Sequence, residues 1–311
     1  MWVRCGGRGG SSPKLSHSEA RAAALPGARG VRVSVCTKVQ SRQQGREVIV
    51  NRRYFTAPAL ILAAVLAACA VSRQQAAQMG AEQSAQLNQQ LPLIRNASAD
   101  QYVEQLGQRI VSQTPYAGQD FEFYLYRSAE VNAFALPGGF IYVSTGLVDA
   151  ADNESELAGV LAHEIAHVTL GHSAEQIERV QKANVGAGLL CVFTSVCQSG
   201  LGRTAVDAGG SAYLAKFSRA AEREADLTAV QYVVASGIHP QGLVTMFEEL
   251  ARMSRSSPNL LDSWFSSHPM AEDRAGYVSG RIAQYPAGSL SRLSTNSSSY
   301  LQFQRLVASA R

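Results

Sequence analysis

Acidic side chains are nearly missing from the start of this chain. Positions 1–53 hold two Asp/Glu against eleven Lys/Arg, a net charge of +9, and positions 54–68 hold no charge at all. Positions 69–311 reverse the balance, with seventeen Lys/Arg and twenty-two Asp/Glu, a net of −5. The overall +4 therefore comes from the leader. The body lacks the basic surface that nucleic-acid binding needs, which excludes that class of partner. No apolar run is long and regular enough for a polytopic membrane protein, and no internal repeat suggests a solenoid. Charged residues make up only 17%, but apolar residues make up 46%, too many for a wholly disordered chain. Cysteine is scarce: Cys5 and Cys36 in the leader, then Cys69, Cys191 and Cys197.

The leader reads as a targeting region. Asn51-Arg52-Arg53 precedes the uncharged run Tyr54–Ser72, in which Leu60–Ala68 is entirely Ala, Leu, Ile and Val. A basic flank, a short apolar stretch and small residues at a cleavage point form a secretory signal peptide. Leu66-Ala67-Ala68-Cys69 resembles a bacterial lipobox, which makes Cys69 the lipidated first mature residue. Ala70 rather than Asp follows it, which directs such lipoproteins to the outer membrane, facing the periplasm. The competing reading is a single uncleaved N-terminal anchor. Residues 1–47 are Arg-, Gly- and Ser-rich, and fit either a true start near Val48 or Val50 or a mitochondrial-type presequence. The expected organisation is a leader and signal over 1–68, a Gln/Ala-rich tether over 69–97, a domain over 98–285 and a C-terminal tail over 286–311. Cys191 and Cys197 would pair only across a turn, because six residues of helix hold them too far apart.

Within the body, Tyr102, Val103, Leu106, Ile110 and Val111 have helical spacing, which predicts a helix over 99–113. Phe121–Tyr126, Asn132–Leu136 and Phe140–Val143 read as short strands, the last two joined by the turn Pro137-Gly138-Gly139. Asn153, with Glu156 three positions on, opens a helix in capping-box fashion; Leu157, Val160, Leu161, Ile165 and Val168 line it, and Gly171 stops it. Residues 184–202 are small and apolar and read as a flexible insertion or surface hairpin. Further helices are expected from about Tyr213 to Ser236, from about Gln241 to Met253 and after Pro269, with a loop at Ser256–Asn259. The fold class is α+β, mainly helical, with a small three-stranded sheet.

His163-Glu164-Ile165-Ala166-His167 lies inside the capped helix. Residues i and i+4 share a helix face, so two imidazoles can grip one Zn²⁺ while the neighbouring Glu faces the same cleft. The plain alternative is a helix with two surface histidines. Zn²⁺ needs a third protein ligand and an open position. A third His six residues after the second would require Gly at 170 and His at 173, but Leu170 and Ser173 stand there. His172 is out of register and reads as a helix-end residue facing the dipole. Glu222 and Asp226 lie i, i+4 in Ser218–Asp226, so one can bind metal while the other supports it, with Glu224 pointing elsewhere. His239 or His268 would be the remaining choice.

His163–His167, Ser218–Asp226, His268-Pro269 with Arg274, and Asn132–Gly139 resemble in type and order the metallopeptidases grouped with HtpX, BepA and the CAAX prenyl proteases. The resemblance covers roughly 98–282 and implies a zincin-like metallopeptidase domain holding one Zn²⁺ on His163, His167 and Glu222. Glu164 is then the general base, and Asp226 orients a ligand imidazole. His268 either stabilises the oxyanion or occupies the open metal position; a loop histidine stacked on Trp264 or Phe265 is the bland reading. Arg274 is expected to pair with Asp226. HtpX and the prenyl proteases span the membrane repeatedly, so their prenylated substrates do not carry over; the lipobox aligns this chain with the small lipoprotein members. The expected activity is a zinc endopeptidase acting on misfolded or misassembled envelope proteins, bound along an edge strand at Phe140, Ile141, Tyr142 and Val143. A non-proteolytic zinc-containing assembly factor or chaperone is the alternative.

Overall fold

A computed structural model describes residues 72–179, 216–269 and 273–310. The expected signal region with Cys69, the expected insertion at 184–202, and Cys191 and Cys197 lie outside the described residues. Among the described residues, no helix is long and apolar enough to cross a membrane.

Three strands form one mixed sheet in the order β1-β3-β2. β1 (Glu122–Tyr126) runs parallel to β3 (Phe140–Ser144), with Phe123 opposite Ile141; β2 (Ala133–Leu136) runs antiparallel to β3, with Ala135 opposite Ile141. Side chains alternate between the faces. Phe123, Leu125, Ala133, Ile141 and Val143 join the main core, while Tyr126, Leu136 and Tyr142 form a second cluster on the other side.

This topology corrects the expected substrate strand. Phe140–Val143 is the central strand, and its backbone groups are committed to β1 on one side and β2 on the other. Strand addition needs unpaired N–H and C=O groups, which this strand lacks. The sequence pattern misled because alternation reports which face is buried, not a strand's place in the order.

The Gln/Ala-rich segment is also more than a tether. Helix α1 (Arg73–Gln90) is opened by a capping box between Ser72 and Gln75 and covers the sheet's outer face. Its Leu87 packs against the second cluster, and its Ser84 and Asn88 meet the Tyr142 hydroxyl at 2.9 and 2.8 Å. Helix α2 (Ala97–Val111), capped by Asn96, buries Val103, Leu106 and Ile110 against the inner face. A short α3 (Thr145–Ala150) follows the sheet.

Helix α4 (Glu154–Leu170) is the spine. Asn153 accepts from the Ser155 and Glu156 amides at 3.1 and 3.3 Å. Glu156 returns to the Asp152 amide (2.7 Å) and the Asn153 side chain (2.9 Å), so the reciprocal half of the box falls one residue early. The helix is buried almost all round, not along one stripe. Ala158, Gly159, Ala162 and Ala166 make its second face thin enough to pack. Gly242 marks a close crossing against α4: a Cβ there would stand 2.2 Å from the backbone of Ser155. Gly171 ends the helix at φ 85°, in the left-handed region where glycine carries no Cβ penalty. Residues 172–179 continue in helical conformation.

Helix α5 (Arg219–Ala235) starts at the Ser218 cap, later than the Tyr213 expected, because the Ser218 hydroxyl accepts the Ala221 amide. It packs on α4, as does α6 (Gln241–Ser256), with His239 accepting the Gln241 amide at 3.2 Å. The expected loop at Ser256–Asn259 gives way to a 3₁₀ turn (Pro258–Leu261) and α7 (Asp262–Ser267). α8 (Arg274–Ile282) closes the site. The segment expected as a tail carries α9 (Ser298–Ser309), which buries Tyr300, Phe303 and Val307 against α2 and α3. The Tyr300 hydroxyl donates to the Ala151 carbonyl at 2.8 Å.

Candidate metal centre

The buried helix α4 presents His163 and His167 one turn apart, and α5 brings Glu222 from its first turn. His268 caps the C-terminal end of α7 and enters from a third side. All four side chains are at most 2% exposed. Their donor atoms lie within 4.8 Å of one another.

The spacing can be tested against zinc. Four ligands at ~2.0–2.1 Å in a tetrahedron have edges of about 3.3 Å. His163 Nε2 lies 3.0 Å from His167 Nε2 and 3.3 Å from His268 Nδ1. Glu222 Oε1 lies 3.3 Å from His167 Nε2 and 3.0 Å from His268 Nδ1. Three imidazole nitrogens and a carboxylate oxygen at these separations fit a zinc-sized cation in both donor chemistry and size.

The opposite edges of the two helix imidazoles are held as metal ligands require. Asp226 Oδ1 stands 2.8 Å from His163 Nδ1, a charge contact without hydrogen-bond alignment that favours the proton on that nitrogen and leaves the Nε2 lone pair in the site. His167 Nδ1 lies 3.1 Å from His172 Nδ1, and His172 Nε2 faces Glu224 at 3.4 Å. If His167 Nδ1–H donates to His172, both rings adopt the tautomers this chain of contacts needs. His172 is therefore the rear support of His167, not simply a helix-end cation, and Glu224 acts at one remove.

Asp226 is also gripped by Arg274, whose Nε and NH2 donate at 2.9 and 2.7 Å, and by the Tyr277 hydroxyl. Arg274 further faces Glu222 Oε2 at 3.1 Å and lies over the Phe247 ring. Burial alone would raise the Asp226 carboxyl, but Arg274 and His163 outweigh it and hold it at about 2. Burial opposes ionisation of Glu222 as well, and His268 and His167 overcome it, leaving that carboxyl well below the usual range. Desolvation and the neighbouring His163 push His167 toward the neutral form that a metal ligand must have.

Glu164 behaves differently. It is 1% exposed, and burial raises its carboxyl above the ordinary value despite the pull of His268. Its Oε1 lies 3.3 Å from His268 Nε2 without hydrogen-bond alignment and has no hydrogen-bond partner. Beside it is a cavity of about 20 Å³, lined by Phe134–Leu136 of β2, Pro137 of the turn after it, Ser173, Gln176, Phe217 and His268 among others. That is room for a single water.

The structure thus brings His163, Glu164, His167, Glu222, Asp226, His268 and Arg274 together; Phe140, Ile141, Tyr142 and Val143 remain in the central strand. His268 also packs against Trp264 in a tilted arrangement, with ring centroids 4.7 Å apart, so this packing coexists with its place in the cluster. Sequence reasoning passed over Phe217, which stacks on His167 at 3.9 Å, and Tyr277. Tyr277 was discoverable from its i, i+3 spacing to Arg274; Phe217 carried no signal.

Comparison with known proteins agrees with this construction. Residues 97–282 match the model described as Peptidase family M48. The chain is 36% identical over 219 residues to the "Beta-barrel assembly-enhancing protease" of Escherichia coli K12, covering 68% of this chain and 44% of that protein. It is 37% identical over 167 residues to "Metalloprotease YcaL" of the same strain, covering 53% and 64%. A fission-yeast relative, "Mitochondrial metalloendopeptidase OMA1" of Schizosaccharomyces pombe, is 30% identical over 174 residues, covering 56% of this chain and 50% of that protein. The chain thus spans about half the length of the first of these relatives. It belongs to peptidase family M48.

Proposed function

We propose that this chain is a zinc endopeptidase that hydrolyses peptide bonds in misfolded or misassembled proteins of the bacterial envelope. The observation that carries the reading is Glu164: a buried carboxylate with an unpartnered oxygen, raised toward neutrality, beside a water-sized cavity at the donor cluster. A purely structural metal site has no use for such a group, and leaving it unpaired costs about 1–3 kcal/mol or more. This favours the peptidase over the non-proteolytic assembly factor.

His163, His167 and Glu222 would hold the metal, and Zn²⁺ bound there would supply Lewis acidity and lower the pKa of water toward ~7. Asp226 and His172 fix the tautomers of the two helix imidazoles. Glu164 accepts the proton from the attacking water and returns it to the leaving amine. Arg274 neutralises Asp226 and Glu222, so neither competes for that proton.

Two further readings belong to this proposal. His268 completes the donor cluster with its Nδ1, and the catalytic cavity admits water but no peptide. The described form is therefore latent, and withdrawal of His268 opens it. The edge of β2, not β3, accepts an extended substrate, because among the described residues β2 pairs on one side only and lines the cavity with Phe134–Leu136. Placement at the outer membrane through lipid on Cys69 rests on the lipobox, and the envelope substrates on the names of the bacterial relatives.

The test is proteolysis of unfolded casein by the zinc-loaded His268→Ala chain, whose cleft is open, with and without Glu164→Gln. The reading expects cleavage to fall by ~10²–10⁴-fold in the variant with zinc content unchanged. Equal cleavage by both proteins would refute Glu164 as the base.

A further inference from the structure

A second cavity, of about 570 Å³, adjoins the catalytic one. Among the described residues its walls come from four places: Ala76 and Ala77 of α1, Tyr116 and Gln119 of the loop before β1, Pro137 and Gly138 of the turn between β2 and β3, and Val168 and Ala174 flanking the end of α4. Pro137 and Ser173 line both cavities. The two are thus neighbouring compartments, and the path between them runs from the end of the β2 edge.

Its chemistry is mostly apolar. Phe121, Pro137 and Val168 supply hydrophobic surface, and Arg73, hydrogen-bonded to the Tyr116 hydroxyl, is the basic side chain among its lining residues. Its size falls in the range of ligand pockets. At the junction, Ser173 is 5% exposed and its hydroxyl has no hydrogen-bond partner. A buried hydroxyl without a partner is costly, and here it stands where a chain leaving the β2 edge would pass with its own peptide groups unpaired.

We infer that this cavity is a specificity subsite: it receives a bulky apolar side chain, aromatic or leucine-like, of a polypeptide laid along the β2 edge, with the Ser173 hydroxyl bonding that polypeptide's backbone at the junction. The inference rests on the endopeptidase reading and adds a preference to it. An edge strand alone recognises backbone and discriminates little between sequences; a cavity of this size beside it imposes a choice at one position. Helix α1 then acts as a wall of the substrate site as well as the cover of the sheet.

The experiment uses the zinc-loaded full chain carrying Glu164→Gln and His268→Ala, which opens the cleft without cutting. Fluorescent extended peptides that differ at one position, Phe, Leu or Gly, are titrated in turn at each position. At one position Phe and Leu should bind about tenfold or more tighter than Gly. Adding Ala77→Trp, or Gln119→Trp on the opposite, exposed wall, fills the cavity and should bring that ratio close to one. Ser173→Ala should weaken Phe, Leu and Gly peptides alike. No preference at any position, or a preference that survives both filling variants, overturns the subsite. The same peptides offered to the His268→Ala chain separate the two claims. Selective binding without cleavage refutes the peptidase and keeps the subsite; cleavage without any preference refutes the subsite and keeps the peptidase.

Discussion

Replacing Asp226 by Asn removes one charge from the most connected residue of the site while keeping its shape. The native carboxyl contacts His163, Arg274 and Tyr277 and is fully buried. Its pKa is held at about 2 against an ordinary 3.8. At ~1.36 kcal/mol per pKa unit, the folded surroundings favour its charge by about 2–3 kcal/mol. The variant also leaves the Arg274 guanidinium, 2% exposed, facing Glu222 alone, and breaking a buried ion pair costs ~3–5 kcal/mol. The expected loss is therefore about 2–5 kcal/mol, read as a lower denaturant midpoint of the chelator-treated protein so that metal binding does not enter. Asn also no longer holds the His163 Nδ1 proton by charge, so zinc affinity should fall by ~10–100-fold in a chelator competition. A variant with unchanged midpoint and unchanged affinity would refute the claim that Asp226 anchors the cluster.

Other outcomes follow from the same geometry. His268→Ala should raise peptidase activity while zinc stays bound, because His163, His167 and Glu222 remain; a drop in casein cleavage with zinc retained would instead assign His268 to the oxyanion. Phe303→Ala, at a position 1% exposed, should cost ~3–5 kcal/mol in denaturant unfolding, and a near-neutral result would mean that α9 is dispensable to the core. Gly242→Val should destabilise strongly, since its Cβ would collide with the backbone of Ser155, and an unchanged melting temperature would deny that contact. Burial raises the Tyr126 hydroxyl to about 12. Its stabilisation is therefore complete below pH ~10 and disappears as pH rises toward 12, by up to ~2–3 kcal/mol; Tyr126→Phe should show a smaller alkaline loss over that window.

The donor cluster was legible because its geometry is local. Helix periodicity alone puts His163 and His167 on one face, and Asn153 and Gly171 mark where that helix starts and stops. Glu222 and Asp226 could be paired by spacing, but only the resemblance chose between them. What escaped is information that spacing does not carry. The rank of β3 in the sheet depends on which strands meet through space, and its alternating pattern is the same for a central or an edge strand. Helix α1 looks polar because it covers a small patch through Ala76, Gly80 and Ser84 instead of large apolar side chains. α9 was missed because Tyr300, Phe303 and Val307 are few apolar anchors in a Ser-rich stretch. His172 was judged by its register with the motif, whereas the turn at Gly171 swings it behind His167.

Zinc K-edge absorption of the purified full chain tests the coordination sphere most directly. The account predicts one zinc per chain surrounded by three imidazole nitrogens and one carboxylate oxygen at ~2.0–2.1 Å, with one imidazole lost in His268→Ala. A chain that holds no zinc, or zinc bound through sulfur, would contradict it.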